Sequence, residues 1–351
     1  MEENLAAFWN GPESLTVKGI PVPEIKPGGI LLKVESCSIC GSDLRTYRHG
    51  HKRIKPPQVI GHEIAGKIVA VGKDVRGFRE GDRVSLGADI PCGSCEFCKG
   101  GNPNCCQTNL AIGYQFSGGF TRYMALDPLV VSEGPVCKIS DSLDYDIAAL
   151  AEPLACCLNG YEKGRLKPGG KVAIFGAGPV GIMLASLGRT LGASDIFLID
   201  PNKERLVKAG NIVKDLTTIW PPEEGPVESV MEYTRGSGVD LAFTACPVAE
   251  THSQAVNLLA TGGIVNFFGG LPANSPPLTV DSNLIHYREL CLTGSHGSTP
   301  LQHRQAVELL ESGSMQGGKF ITAKFGLTDI RKGFLHALSQ EGLKVIIKPH
   351  E

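Results

Sequence analysis

The stretch Lys171-Val172-Ala173-Ile174-Phe175-Gly176-Ala177-Gly178-Pro179-Val180-Gly181 decides the fold of this chain. Four apolar residues suited to a buried strand run into a glycine turn, and a helical pattern follows from Ile182 to Leu191. The next strand-like run, Asp195 to Ile199, ends in Asp200, 24 positions after Gly176. A glycine string of this kind is weak evidence alone; the strand before it, the helix after it and the delayed acid make it a dinucleotide turn. Gly176 permits the tight turn, Gly178 admits a pyrophosphate close to the backbone, and Gly181 lets the helix pack on the sheet. Pro179 and Val180 belong to the turn and are counted in the cofactor site, and the N-terminus of the helix that follows receives the phosphate charge. Asp200 accepts hydrogen bonds from a ribose and repels a 2′-phosphate, so the expected cofactor is NAD rather than NADP. Lys203 and Arg205 stand close by and soften that preference, with Arg205 counted in the cofactor site.

Downstream, strands are expected at Val239 to Ala245, Gly263 to Phe268 and Leu290 to Gly294, alternating with helical stretches such as Thr251 to Leu259. This rhythm predicts a doubly wound parallel sheet. The helix from Leu301 to Ser312 and the strand-like run Gly342 to Lys348 have no place in such a sheet. They are expected to return to the first part of the chain. That first part alternates apolar and polar residues from Thr16 to Ser36, then continues through Ile64 to Val71 and Asp82 to Leu86, with proline and glycine turns. It reads as a β-rich domain without long helices. The expected boundaries are 1–153 and 292–351 for a discontinuous β-rich domain and 154–291 for the dinucleotide domain, with substrate in a cleft between them.

Working upstream, Cys40-Gly41-Ser42-Asp43 and Gly61-His62-Glu63 supply a thiol, an imidazole and a carboxylate, all good zinc ligands. Three such ligands leave a zinc position open for catalysis. Glu152, before Pro153, joins them if its helix start comes back to the metal; on its own it is an acid favourable to a helix dipole. Cys92, Cys95 and Cys98, with Cys105 or Cys106 as the fourth sulfur, suit a closed tetrahedral zinc site that stabilises a loop poor in apolar residues. Between the catalytic motifs runs a basic loop containing Arg45, Arg48, His49, His51, Lys52, Arg53 and Lys55. A charge run of this kind is either a solvated surface or a substrate site for a carboxylate or phosphate.

The chain has 351 residues, enough for a large core in two domains, and 42% hydrophobic and 20% charged residues are ordinary for a soluble globular protein. A formal charge of -2 gives no reason to expect nucleic acid or an anionic membrane as partner. Met1-Glu2-Glu3-Asn4 lacks the basic start and apolar run of a secretory signal, and Val172 to Leu187 is broken by glycines and a proline. Twelve cysteines at short spacings in such a chain favour metal binding and a reducing, cytoplasmic compartment over disulfides.

Taken together, these motifs resemble the zinc-dependent medium-chain dehydrogenase/reductase family, in particular its sorbitol (iditol) and threonine dehydrogenase-like branch. The resemblance covers nearly the whole chain. It implies an α/β protein with a GroES-like catalytic domain around a Rossmann domain, assembled as a homodimer or homotetramer. It implies two Zn²⁺ per subunit. One is catalytic, on Cys40, His62, Glu63 and Glu152, one carboxylate yielding to water or substrate. The other is structural, on Cys92, Cys95, Cys98 and Cys106, and the family spacing selects Cys106. Ser42 matches the hydroxyl that bonds the reacting alcohol. The implied activity is NAD-linked interconversion of a secondary alcohol and a ketone on a polyol, sugar alcohol or sugar acid, with L-threonine oxidation as the alternative. Two positions depart from relatives. Arg45 stands where many carry a relay histidine, leaving water, His49 or His51 for the proton. Gly297-Ser298 stands where animal sorbitol dehydrogenases carry a polyol-binding Arg-Tyr pair.

Overall fold

The computed structural model describes residues 3–221 and 225–351. Residues 1–2, read above for the absence of a leader, lie outside it. The chain divides into two compact units, residues 1–155 with 297–351, and residues 156–296.

The second unit is a six-stranded sheet in which every pairing is parallel. Its strands lie in the spatial order Leu216–Ile219, Ile196–Ile199, Val172–Phe175, Val239–Thr244, Leu259–Phe267, Cys291–Gly294. Counted along the chain, this is the order third, second, first, fourth, fifth, sixth of a doubly wound dinucleotide fold. Val172–Phe175 and Ile196–Ile199 are buried at every position, as apolar runs covered on both faces must be. The glycine turn opens the helix Pro179–Thr190. At Gly181 a Cβ would lie 1.8 Å from the Gly176 carbonyl oxygen, so only glycine lets the helix start this close to the strand.

The first unit is built on antiparallel pairing. Ile30–Ser38 pairs with Glu63–Val71 and Tyr123–Leu126, and Glu63–Val71 with Arg83–Leu86. Ile30, Leu32 and Val34 are buried while Lys33 and Glu35 are not, the alternation of a sheet with one covered face. The C-terminal strand Lys344–Lys348 completes this sheet by pairing Ile346 and Ile347 with Ser38 and Cys37. It also runs parallel to Ile321–Gly326.

One expectation needs correcting. The start of the basic segment is a helix, Gly41–His49, rather than a loop, so Arg45, Arg48 and His49 are helical. Asp43 in the first turn accepts the Cys40 N–H at 3.0 Å, and Arg48 and His49 occupy the last turn. Both ends therefore suit the helix dipole.

The helix Pro300–Glu311 buries His303. Its Nε2 lies 3.1 Å from Ser85 Oγ, which donates to the Ala148 carbonyl at 2.9 Å, and its Nδ1 has no partner among the described residues. Burial pushes His303 down to about 4. The folded state then resists a proton that the unfolded chain accepts near pH 6.5, so stability is complete above about 6.5 and falls towards pH 4. Urea unfolding of the intact protein is expected to lose roughly 2 kcal/mol between pH 7 and pH 5 through this group. The His303→Gln variant is expected to show a correspondingly shallower slope.

Candidate active site

His62 sits at the start of the strand that opens with Glu63, and its ring is buried. Its Nε2 lies 3.3 Å from Ser42 Oγ, and its Nδ1 lies 3.5 Å from Asp43 Oδ1. Burial disfavours the charged ring, but Asp43 and the neighbouring Cys40 outweigh this and hold its pKa well above the ordinary value. One ring nitrogen thus faces a carboxylate while the other faces Ser42, the arrangement that fixes a metal-binding histidine through its outer partner. The same Asp43 holds the N-terminus of the helix that carries Ser42 and is capped by Cys40.

Glu63 is fully buried against Lys344, whose Nζ lies 2.6 Å from Oε1 and 2.5 Å from Oε2. Burial lowers the lysine pKa, but Glu63 more than restores it and the net shift is upward. In this structure Glu63 therefore serves an ion pair 281 positions away along the chain. Glu152 is in the first turn of the helix Ala151–Gly164. Burial, then the charges of Glu63 and Asp89, push it up to about 7 against the opposing pull of His62 and Lys344. Cys40, Ser42, His62, Glu63 and Glu152 are thus brought into one electrostatic cluster. They are not drawn as tightly together as the other cysteine set.

That set is compact. The sulfurs of Cys92, Cys95, Cys98 and Cys106 all lie within 4.8 Å of one another, the one such group of candidate ligands among the described residues. Individual separations are 3.4 Å for Cys95–Cys98, 3.9 Å for Cys95–Cys106 and 4.0 Å for Cys92–Cys98. A tetrahedron with Zn–S bonds of about 2.3 Å separates its sulfurs by roughly 3.8 Å, so the donor set fits zinc. Cys105 is exposed and stands outside the group. Four uncompensated thiols in contact split apart in acidity. Burial, then Cys95 and Cys106, push Cys98 up to about 12. Burial also opposes ionisation of Cys106, yet hydrogen bonds from the Thr108 hydroxyl and the Cys92, Thr108 and Asn109 backbones bring it down to about 5. A divalent cation removes that conflict by deprotonating all four.

In the second unit, Asp200 accepts the Ala177 N–H at 2.7 Å through Oδ2 and the Asn202 N–H at 2.8 Å through Oδ1. Arg205 Nη1 lies 4.0 Å from the same carboxylate. The acid is therefore locked to the glycine turn itself. Gly178 caps the helix without a side chain, so the first amides of Pro179–Thr190 are left for a ligand's phosphates.

The basic residues divide. Arg45, Arg48 and His49 are exposed, whereas His51 and Arg53 are half-buried beside Tyr114. Gly297 and Ser298 meet Asp89 instead of presenting side chains. Ser298 N–H donates to Asp89 Oδ2 at 3.0 Å, and a Cβ on Gly297 would lie 2.0 Å from that oxygen. An arginine at 297 would require Asp89 to move. Asp43, Tyr114 and Lys344 are site residues that sequence reasoning missed. Only Asp43 carried a signal, as an acid three positions after a helix cap.

Two family models match, the alcohol dehydrogenase GroES-like domain over residues 26–135 and the zinc-binding dehydrogenase over residues 179–312. An L-threonine 3-dehydrogenase of Bacillus velezensis is 33% identical over 339 residues, 95% of each chain. The chain belongs to the zinc-dependent medium-chain alcohol dehydrogenase family. A sorbitol dehydrogenase of Bombyx mori is 32% identical over 99% of each chain. A zinc-binding dehydrogenase from Sinorhizobium meliloti, solved with NADP bound, superposes with a TM-score of 0.92 at 30% identity, covering 99% of this chain and 100% of its own. The GroES-like and Rossmann reading of the fold is thereby confirmed, as is a zinc-binding alcohol or polyol dehydrogenase. No helix among the described residues is long and apolar enough to cross a membrane.

Replacing Cys106 by serine tests the compact sulfur site. Zinc content is expected to fall by one equivalent per chain, and the thermal midpoint by roughly 5 °C or more, because the helix Glu96–Lys99 in this loop buries no side chain of its own.

Proposed function

We propose that the chain oxidises the secondary alcohol of a polyol, sugar alcohol or sugar acid to a ketone, with NAD as acceptor. The observation that carries this reading is the pairing around His62, with Asp43 behind the ring and Ser42 in front of it, beside Cys40 and Glu152. Bound zinc supplies a Lewis acid to the substrate oxygen and the nicotinamide supplies the hydride acceptor. Cys40, His62 and Glu152 would hold the metal. Glu63, held by Lys344, would add a fixed negative charge to the site, or join as a fourth ligand when the pair opens.

The chain's own groups do the rest. Ser42 Oγ takes the hydroxyl proton of the substrate and passes it outward. Tyr114, beside Ser42 and against the His62 ring, offers its phenol to that route. Burial first, and nearby carboxylate and thiol charge after it, raise this phenol's pKa, so it acts as a neutral donor and acceptor. Asp43 keeps the His62 ring in one orientation throughout. Arg45 is exposed and takes no part in the relay.

Asp200, already bonded to the glycine turn, supports NAD over NADP because a 2′-phosphate would meet its carboxylate. The edge position of Cys291–Gly294 in its sheet supports a homodimer or homotetramer, and the thiol-rich composition a reducing, cytoplasmic compartment. A second reading, oxidation of L-threonine, rests on the Bacillus velezensis relative.

The test is reduction of NAD⁺ and NADP⁺ by zinc-loaded protein against sugar alcohols, aldonates, polyol phosphates, inositols and L-threonine, before and after chelation. A chelator-sensitive rate on a polyol, greater with NAD⁺, and its loss by at least about a thousandfold in a folded Cys40→Ser variant, are expected. Turnover of L-threonine alone would replace the first reading by the second.

A further inference from the structure

The half-buried end of the basic segment is placed differently from the exposed Arg45, Arg48 and His49 on the helix that precedes it. The Arg53 guanidinium lies over the Tyr114 ring, 5.3 Å from its centroid, and donates to the Asn109 carbonyl. His51 meets the same ring edge-on at 5.0 Å, and its Nδ1 accepts the Arg53 N–H at 3.2 Å. The Tyr114 ring also meets the His62 ring edge-on at 6.3 Å, with Ser42 close to its phenol. One aromatic ring thus contacts both Arg53 and the imidazole of His62.

The backbone fixes this arrangement. Gln115 donates to the Arg53 carbonyl at 3.2 Å, Gln58 donates to the Tyr114 carbonyl at 2.7 Å, and Ile54 is buried beneath the turn. Arg53 is therefore set in place rather than free to sweep through solvent.

The charge balance points one way. Arg45, Arg48 and Arg53 enter no ion pair among the described residues. Two of the acids of the site are already engaged, Asp43 by His62 and the Cys40 amide, and Glu63 by Lys344. His51 registers the resulting positive field. Burial first, then Arg53 and Arg45, hold its pKa below the ordinary value. In a chain with a formal charge of -2, this is a local and uncompensated excess of cations beside a catalytic site. A guanidinium with one outer nitrogen on the Asn109 carbonyl still offers the other to a carboxylate or phosphate.

We propose that Arg53, with His51 beside it on the Tyr114 ring, binds an anionic group on the substrate remote from the alcohol being oxidised. The preferred substrates are thus polyols carrying a terminal phosphate or carboxylate, not neutral ones. The proposal rests on the polyol reading above and names its substrate class. Tyr114 has two duties in this scheme, carrying the hydrocarbon face of the substrate and keeping the anion at a fixed distance from Ser42.

The test uses the zinc-loaded enzyme with xylitol and sorbitol, their terminal phosphate monoesters and the corresponding aldonates. Turnover is read alongside binding measured by titration calorimetry. For the wild-type protein, phosphate or carboxylate forms are expected to bind and turn over at least about tenfold better than the neutral polyols, with an advantage that shrinks as salt rises. The contrast between phosphates and aldonates tells which anion the fork fits. Arg53→Gln, which keeps a donor for the Asn109 carbonyl, is expected to raise KM for the anionic substrate about tenfold more than for its neutral counterpart, with kcat changed far less. Arg53→Lys is expected to recover part of the difference. Equal affinity of wild-type protein for charged and neutral forms would overturn the proposal, as would an equal loss on both in Arg53→Gln. Failure to oxidise any polyol while still binding the anionic ones would sink the polyol reading and leave the anion site standing.

Discussion

The catalytic unit depends on one buried carboxylate that does two things. Asp43 accepts the Cys40 amide through one oxygen and faces His62 Nδ1 with the other. The first contact starts the helix Gly41–His49 and so sets Cys40 and Ser42; the second sets the imidazole plane. A thiol and a hydroxyl two residues apart and a ring nitrogen 20 positions further on are aligned by a single side chain. The cost of burying Asp43 is offset by these partners, since an unpaired carboxylate at that depth would be strongly destabilising.

Beneath this constraint lies a second ion pair. Lys344 and Glu63 are both buried, and Lys344 belongs to the C-terminal strand that pairs with Ile30–Ser38. The end of the chain therefore supplies both a strand and a countercharge to the site. A similar economy holds in the second unit, where Asp200 fastens the glycine turn before it meets any ribose. In both places the chemistry is built on groups that also hold the local fold together.

Much of this was legible in the sequence because it is local. Gly176 to Asp200 encode strand, turn, helix and acid within one short segment, and Cys92 to Cys106 place four sulfurs in one loop. What escaped was non-local or ambiguous in kind. Nothing near Lys344 announces Glu63, and a lone Tyr114 gives no hint that it meets both His62 and Arg53. The basic segment looked like a loop because its charges hid the helix, whose start is signalled by Asp43 after Cys40. Gly297 became intelligible only when Asp89 was found where a side chain would go.

The most direct test of this account is the zinc stoichiometry and affinity of an Asp43→Asn variant, measured by competition with a graded chelator. Asparagine keeps an acceptor for the Cys40 amide and removes the charge facing His62. The account predicts that the four-cysteine zinc remains at wild-type affinity while a second zinc is held about 10- to 100-fold more weakly. Two zinc ions retained at unchanged affinity would contradict it, and would mean that Cys40, His62 and Glu152 hold the metal without the carboxylate behind the ring.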